Sequence, residues 1–450
     1  MPMYPMLKPI ALPHAVHARR RKQLMRIAGD DAILVVAAAP ERIRSRDTHY
    51  PYRQDSDFWY LTGFAEPESV LVLVPGRKHG EALLFCRERD PEREAWDGPR
   101  VGPEGAVDAL GMDDAYPIDD IDEILPGLIE GRGRIFAHFG RDSEFDSRLM
   151  SWLNRTRAMM HMGNPPPREL LDLSVLINEQ RLIKDKDELL LMRRAADIAV
   201  LGHEAAMRAV QPGMYEYQLQ AELERVFKWH DATPAYTSIV GAGSNGCVLH
   251  YVTNRDRIGK NDLVLIDAGA EYRGYASDIT RTFPAGGRFS KAQRQLHDIV
   301  VKANRAALAQ VEPGAVYELQ HLAAVTTLTE GLLELGLLKG KLETLVRNGA
   351  YKRFYPHKTG HWLGLDTHDV GDYRIDGESR ILEPGMVFTI EPGLYIPHDA
   401  TEVDAKWRGI GIRIEDDVLV TETGYEVLTD ALVRDADSIE QFMAANNVNN

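Results

Sequence analysis

The run VQPGMYEYQLQAEL from Val210 returns as VEPGAVYELQHLAAV from Val311, and the apolar LVLID at 263–267 returns as VFTIE at 387–391. In each Val-x-Pro-Gly, proline and glycine end one helix before the next begins. Each apolar strand stops on a carboxylate, and each carboxylate is followed by x-Gly. The spacings of the two echoes differ, but their order is shared. A duplication of this kind predicts a domain made of two helix–helix–strand halves. Strand-end acids from both halves would then meet at one interface.

At 450 residues the chain exceeds a usual single core. The segment HMGNPPPREL at 161–170 carries three consecutive prolines, cannot be helical, and marks a boundary between domains at 1–175 and 176–450. Before it, AILVVAAA, SVLVLVP, EALLFCRER and GRIFAHFG read as strands among short helices, giving a mixed α/β N-terminal domain. After it, acids near Asp185 and apolar residues at helical spacing predict one amphipathic helix to Val210. The RRR at 19–21 reads as the exposed start of a helix.

A formal net charge of −15 argues against a phosphate-tracking nucleic-acid surface. No apolar run approaches the roughly 20 residues of a membrane span, and the N-terminus lacks the apolar core of a secretory signal. Two cysteines, Cys86 and Cys247, make no disulfide framework, so a cytoplasmic protein is expected.

The stretch VLIDAGAEYRGYASDITRTF at 264–283 reads as a hairpin with two aspartates inside apolar strands. With Tyr272 and Arg273 as a two-residue loop, Asp267 faces Asp278 directly. Like charges so placed repel, and buried unpaired carboxylates are costly, so a positive charge should sit between them. Glu391 ends MVFTIEPG, and Glu415 lies in the alternating GIGIRIEDD. The segment HKTGHWLGLDTHD supplies His357, His361 and His368, and its Gly360 and Gly364 make it a poor helix. Four gathered carboxylates call for about two divalent cations, which carboxylates can bridge and which can activate a shared water as hydroxide. Mainly oxygen donors with one imidazole suit Mn²⁺ best, with Co²⁺ or Zn²⁺ also admissible. Histidines outside the donor set, including His250 in CVLHYVTN, could move protons or meet a tetrahedral intermediate.

Together, LIDAGAEYRGYASDITRTFP, HWLGLDTHDVG, TIEPGLYI and GIRIEDDVLVT resemble the metal-dependent pita-bread peptidases. Residues 42–75, RIRSRDTHYPYRQDSDFWYLTGFAEPESVLVLVP, are similar to the N-terminal domain of the aminopeptidase P branch. The resemblance runs from about Ala15 into the 430s. It implies a pseudo-twofold pita-bread α+β catalytic domain behind the N-terminal one. It also implies five metal ligands: Asp278 and Glu415 bridging, Asp267 on one metal, and His361 with Glu391 on the other. Glu391 would also shuttle protons. His250, His357 and His368 fall on histidines that meet substrate or the developing oxyanion. Arg413 would orient carboxylates, while Tyr395 and Trp96 match substrate-side positions. Lys358 departs from the pattern, since many relatives have glycine there, and it puts the pocket's charge in question.

The implied reaction removes the N-terminal residue from peptides beginning Xaa-Pro, in a homodimer or homotetramer whose N-terminal domains border neighbouring active sites. A prolidase-type enzyme would cleave Xaa-Pro dipeptides and spare tripeptides. A non-catalytic pita-bread binding module would take up no stoichiometric metal.

Overall fold

The computed structural model describes residue 5, residues 7–161 and residues 165–447. Residues 162–164 of the proline-bearing segment lie outside the described residues. The chain divides into two compact units, Ala11–Gln180 and Arg181–Asn450 with Met1–Ile10. Among the described residues no helix is long and apolar enough to cross a membrane.

The first unit begins with helix α1 (His14–Ala28) and is built on a six-stranded sheet. Its strands are β1 (Ala32–Ala37), β2 (Val70–Leu73), β3 (Ala82–Cys86), β4 (Asp114–Pro117), β5 (Arg134–Ala137) and β6 (Glu169–Asp172), in the order β4-β3-β2-β1-β5-β6. Because β1 is central, both its faces are covered, which explains its unbroken apolar run. Ile33, Val35, Val72 and Ile135 pack with Leu149, Trp152 and Leu153 of the helix Ser143–Ala158. The expectation of an exposed helix start at 19–21 is corrected: α1 begins at His14, and while Arg19 is exposed, Arg20 and Arg21 are buried. Arg21 donates to the carbonyls of Leu61, at 2.9 Å, and Gly111, at 2.7 Å. Arg20 lies 4.1 Å over the ring of Tyr60. Their stems cover apolar surface, and their planar heads find carbonyls at neighbouring helix ends.

The second unit carries the duplication. Helix α2 (Lys186–Ala209) starts with a capping box between Asp185 and Glu188 and ends at Val210. Helix α3 (Glu216–Trp229) follows, then the three-stranded sheet β7 (Ile239–Ala242), β8 (Leu263–Asp267) and β11 (Thr280–Pro284), with β8 in the middle. Between β8 and β11 the chain forms the small strands β9 (Ala270–Tyr272) and β10 (Tyr275–Ala276). The second half repeats the scheme with α4 (Lys291–Leu308), α5 (Glu318–Glu334), β12 (Val387–Ile390), β13 (Gly393–Ile396), β14 (Ile410–Arg413), β15 (Asp416–Val420) and β16 (Tyr425–Val427).

Each helix pair approaches over a bare glycine. A Cβ on Gly202 of α2 would lie 2.7 Å from the Phe227 ring of α3, and one on Gly331 of α5 would lie 2.6 Å from Ile299 of α4. Each first helix also steadies the strand end that carries an acid. A ring nitrogen of His203 lies 2.9 Å from the Ala268 carbonyl, and Asn304 donates to the Ile390 carbonyl at 3.3 Å. The halves join through one backbone bond, Glu415 N–H donating to Thr280 O at 3.0 Å, and through a side chain, Arg413 N–H donating to Thr282 Oγ1 at 3.1 Å.

The hairpin turn is one residue later than its sequence predicts. Arg273 and Gly274 form the loop, with φ of 52° and 86°, and Tyr272 pairs with Tyr275. Two positive φ values match the twist of a two-residue hairpin, and Gly274 takes the second at no steric cost. The register therefore shifts by two, and Asp267 pairs with Thr280 rather than Asp278. A shift of two leaves every side chain on its face, so the aspartates become diagonal neighbours instead of opposed ones.

Candidate metal centre

The strand ends deliver the acids. Asp267 is the last residue of β8, Asp278 lies between β10 and β11, Glu391 follows β12, and Glu415 separates β14 from β15. The histidine segment lies along β12 without being helical: Thr389 N–H donates to His361 O at 2.9 Å, and Glu391 N–H donates to Thr359 O at 2.8 Å. This backbone pairing brings His361 to the acids. One ligand atom each from Asp278, His361 and Glu415 lies within 4.8 Å of the others. His361 Nε2 is 3.4 Å from Asp278 Oδ2 and 3.8 Å from Glu391 Oε1. Its Nδ1 lies 3.0 Å from the Trp362 carbonyl, which turns Nε2 toward the carboxylates.

Groups that the sequence did not single out hold the acids in place. The hydroxyl of Tyr236 sits 2.6 Å from Asp267 Oδ1 and 2.5 Å from Asp278 Oδ1. One O–H cannot donate to both. Thr280 Oγ1 lies 2.5 Å from Glu415 Oε2, and the Asp278 N–H meets both oxygens of Asp417 at 3.2 Å. Thr280 and Asp417 follow Asp278 and Glu415 by two residues, a strand period that could have marked them. Nothing in PAYTSIV marks Tyr236.

Charge is out of balance. Burial pushes the carboxyls of Asp267, Glu391 and Glu415 up, Glu391 to about 7, and each also feels its acidic neighbours. Burial opposes a proton on His361, but the hydrogen bond and charge of Asp278 outweigh it and raise the imidazole to about 9. Arg413 is paired with Asp267 and donates to Thr280 Oγ1 at 3.0 Å. Buried oxygen donors, one imidazole and unmet demand for positive charge fit divalent cations.

Tyr395, His357 and His368 adjoin this set. Tyr395 is buried on β13, where Gly393 pairs with Arg413, and its hydroxyl accepts from Arg413 Nη1 at 3.1 Å. That hydroxyl lies 2.8 Å from His357 Nε2, while His357 Nδ1 lies 2.7 Å from the Lys358 carbonyl. The carbonyl only accepts, so His357 carries its proton on Nδ1 and takes the tyrosine's on Nε2. Burial, helped by Arg413, lowers its pKa to about 3. The His368 ring lies 4.2 Å from that of His361, edge to face. His250 is exposed, yet its charge opposes protonation of both His357 and His368. Lys358 Nζ is paired with Glu318 at 3.0 Å, in the first turn of α5. Trp96 belongs to the first unit, on the short helix Pro91–Asp97, and is 87% exposed there.

The family model "Metallopeptidase family M24" matches residues 190–422, and "Aminopeptidase P, N-terminal domain" matches residues 17–136. The chain belongs to metallopeptidase family M24. As an M24 enzyme it has the pita-bread catalytic fold behind an aminopeptidase P-type N-terminal domain, and it uses divalent metal ions. It is 44% identical over 429 residues to Xaa-Pro aminopeptidase of Escherichia coli K12, covering 95% of this chain and 97% of the relative. It is 35% identical to Xaa-Pro aminopeptidase 3 of Homo sapiens, covering 95% of this chain and 85% of that one. Among solved structures, Pseudomonas aeruginosa aminopeptidase PepP superposes with a TM-score of 0.97 at 53% identity, over 98% of this chain and 100% of the other. Zinc-substituted E. coli aminopeptidase P in complex with product gives 0.94 at 43% identity, over 97% and 99%.

Proposed function

We propose that this M24 peptidase hydrolyses the bond between an N-terminal residue and a following proline. Asp267, Asp278, His361, Glu391 and Glu415 would hold two divalent cations, Mn²⁺ by preference. What supports this reading above all is the convergence of acids from both halves with His361, where one atom each of Asp278, His361 and Glu415 falls within 4.8 Å. Cations held there would activate water and stabilise the oxyanion that develops at the scissile carbonyl. Asp278 and Glu415 would reach both cations, Asp267 one, and His361 with Glu391 the other. The oxygen-rich set with a single imidazole is the reason for preferring Mn²⁺.

The chain's own groups then divide the remaining work. Glu391 would take a proton from the attacking water and return it to the departing proline nitrogen. That nitrogen carries no hydrogen in the substrate, so it cannot leave as an amine without one. Arg413, paired with Asp267, opposes its protonation and would orient it. His250, His357 and His368 face substrate, with Tyr395 beside His357 and Trp96 on the substrate side. Glu318 compensates Lys358, so the lysine brings no uncompensated charge to the pocket. The family resemblance further supports a homodimer or homotetramer, and the free Cys86 and Cys247 support a cytoplasmic setting.

Turnover of Xaa-Pro-Yaa tripeptides, before and after chelation and with Mn²⁺ restored, tests the proposal. Hydrolysis after Xaa that is lost on chelation and regained with Mn²⁺ is expected. Cleavage of Xaa-Pro dipeptides alone, or metal-indifferent turnover, would overturn it.

A further inference from the structure

Two cations that lie outside the donor set converge on the loop between His361 and His368. Lys184 Nζ donates to Asp369 Oδ2 at 2.8 Å, and Arg181 Nη2 donates to Asp369 Oδ1 at 2.5 Å and to Asp366 Oδ2 at 2.7 Å. The side chains of Lys184 and Asp369 are each 1% exposed and that of Arg181 3%. Lys184 is itself anchored, since its N–H donates to the Gly385 carbonyl at 2.9 Å. Asp369 closes the loop through its N–H, which donates to Trp362 O at 2.9 Å. The loop also reaches the first half, where Ala276 N–H donates to Gly364 O at 2.8 Å. The fit leaves no slack: a Cβ on Gly364 would run into Asp369 Oδ2 and lie 2.9 Å from Lys184 Cε.

Buried ion networks of this kind add little net stability, because desolvation offsets the attraction; apolar side chains of the same volume would hold the fold as well. What such a network does supply is one fixed geometry. Here that geometry sets the residue directly before Asp369, which is His368, at 4.2 Å from the ring of His361.

We propose that Arg181 and Lys184 are positioning residues that clamp Asp369 and thereby hold His368 against the metal centre. They act through His368. The inference rests on the substrate-facing role of His368 in the proposed function.

The test is Lys184→Met made in both the wild-type and the His368→Ala backgrounds, with tripeptide turnover and Mn²⁺ uptake by equilibrium dialysis measured for each. In the wild-type background kcat should fall about 10–100-fold, the range for groups that orient a site from behind. KM should change less than kcat, and Mn²⁺ stoichiometry should be kept. In the His368→Ala background the further loss should shrink to less than about threefold, since the group acted upon is already gone. Equal fold losses in both backgrounds would overturn the clamp. If Lys184→Met does not fold, Asp366→Asn at the clamp's more exposed rim should show the same pattern with a several-fold loss, and equal losses there, or none, would overturn it. A crystal structure of the folded variant separates the two readings. An unmoved His368 ring contradicts the clamp whatever the activity, whereas unimpaired turnover of His368→Ala alone contradicts only the role given to His368.

Discussion

The two halves of the catalytic unit each contribute two acids and hold them differently. In the first half, Asp267 and Asp278 share the hydroxyl of Tyr236, at 2.6 and 2.5 Å, and Asp267 also takes Arg413 from the second half. In the second half, Glu415 takes the hydroxyl of Thr280 at 2.5 Å, whereas the Glu391 carboxylate is met by His357 and His361 at 3.7 and 3.8 Å, both beyond hydrogen-bond reach. The first half presents fixed oxygens. The second adds Glu391, a carboxylate that neither histidine fixes by a hydrogen bond and that is placed to move a proton. Duplicated architecture therefore need not mean duplicated chemistry. The tethered acids, Asp267, Asp278 and Glu415, are suited to hold charge, and the loosely held Glu391 to move it.

Substitutions on the two sides should separate holding from moving. Asp278→Asn removes a central donor of the fixed half and should abolish stoichiometric Mn²⁺ uptake together with turnover. The loss is several kcal/mol of charge stabilisation, on the order of 10³-fold or more in rate. Wild-type turnover by this variant after exhaustive chelation would break the comparison outright. Glu391→Gln on the loose side keeps shape and removes the transferable proton. Turnover should drop about 10²–10⁴-fold with Mn²⁺ still bound through the remaining donors, as dialysis would report. Tyr236→Phe tests the tether itself. It should weaken Mn²⁺ affinity about 10–100-fold, and an unchanged titration curve would show that the shared hydroxyl does not organise the acids.

The smallest effect concerns the helices behind each half. His203 on α2 and His297 on α4 are buried, and burial lowers their pKa values to about 4 and about 3, from 6.5 in the unfolded chain. Between those values and 6.5 the unfolded chain binds more protons, so folding stability is lost as pH falls through this window. At pH 5 each group should cost about 2 kcal/mol relative to neutral pH. His297→Leu should flatten that acid dependence in urea melts at pH 7 and 5, and an unaltered slope would contradict its burial as a neutral ring.

Much of this could be read from the sequence, and the places where it failed have physical reasons. The Val-x-Pro-Gly echoes at Val210 and Val311 marked real helix ends, because proline and glycine act locally. The acids stood out because each interrupts or ends an apolar strand. The hairpin register did not: Tyr272–Arg273 and Arg273–Gly274 differ by one residue, and only the positive φ values decide between them. Arg20 and Arg21 looked solvated because an RRR run gives no hint of the carbonyls at Tyr60, Leu61 and Gly111 that receive it. Tyr236 and the Lys184–Asp369 pair were invisible for the same reason, being contacts between residues far apart in the chain.

Anomalous diffraction from Mn²⁺-soaked crystals, collected at the manganese edge, tests the centre most directly. Two peaks in contact with both Asp278 and Glu415, one also touching Asp267 and the other also touching His361 and Glu391, are what the account predicts. Ordered side chains at all five positions with no peak among them would contradict it.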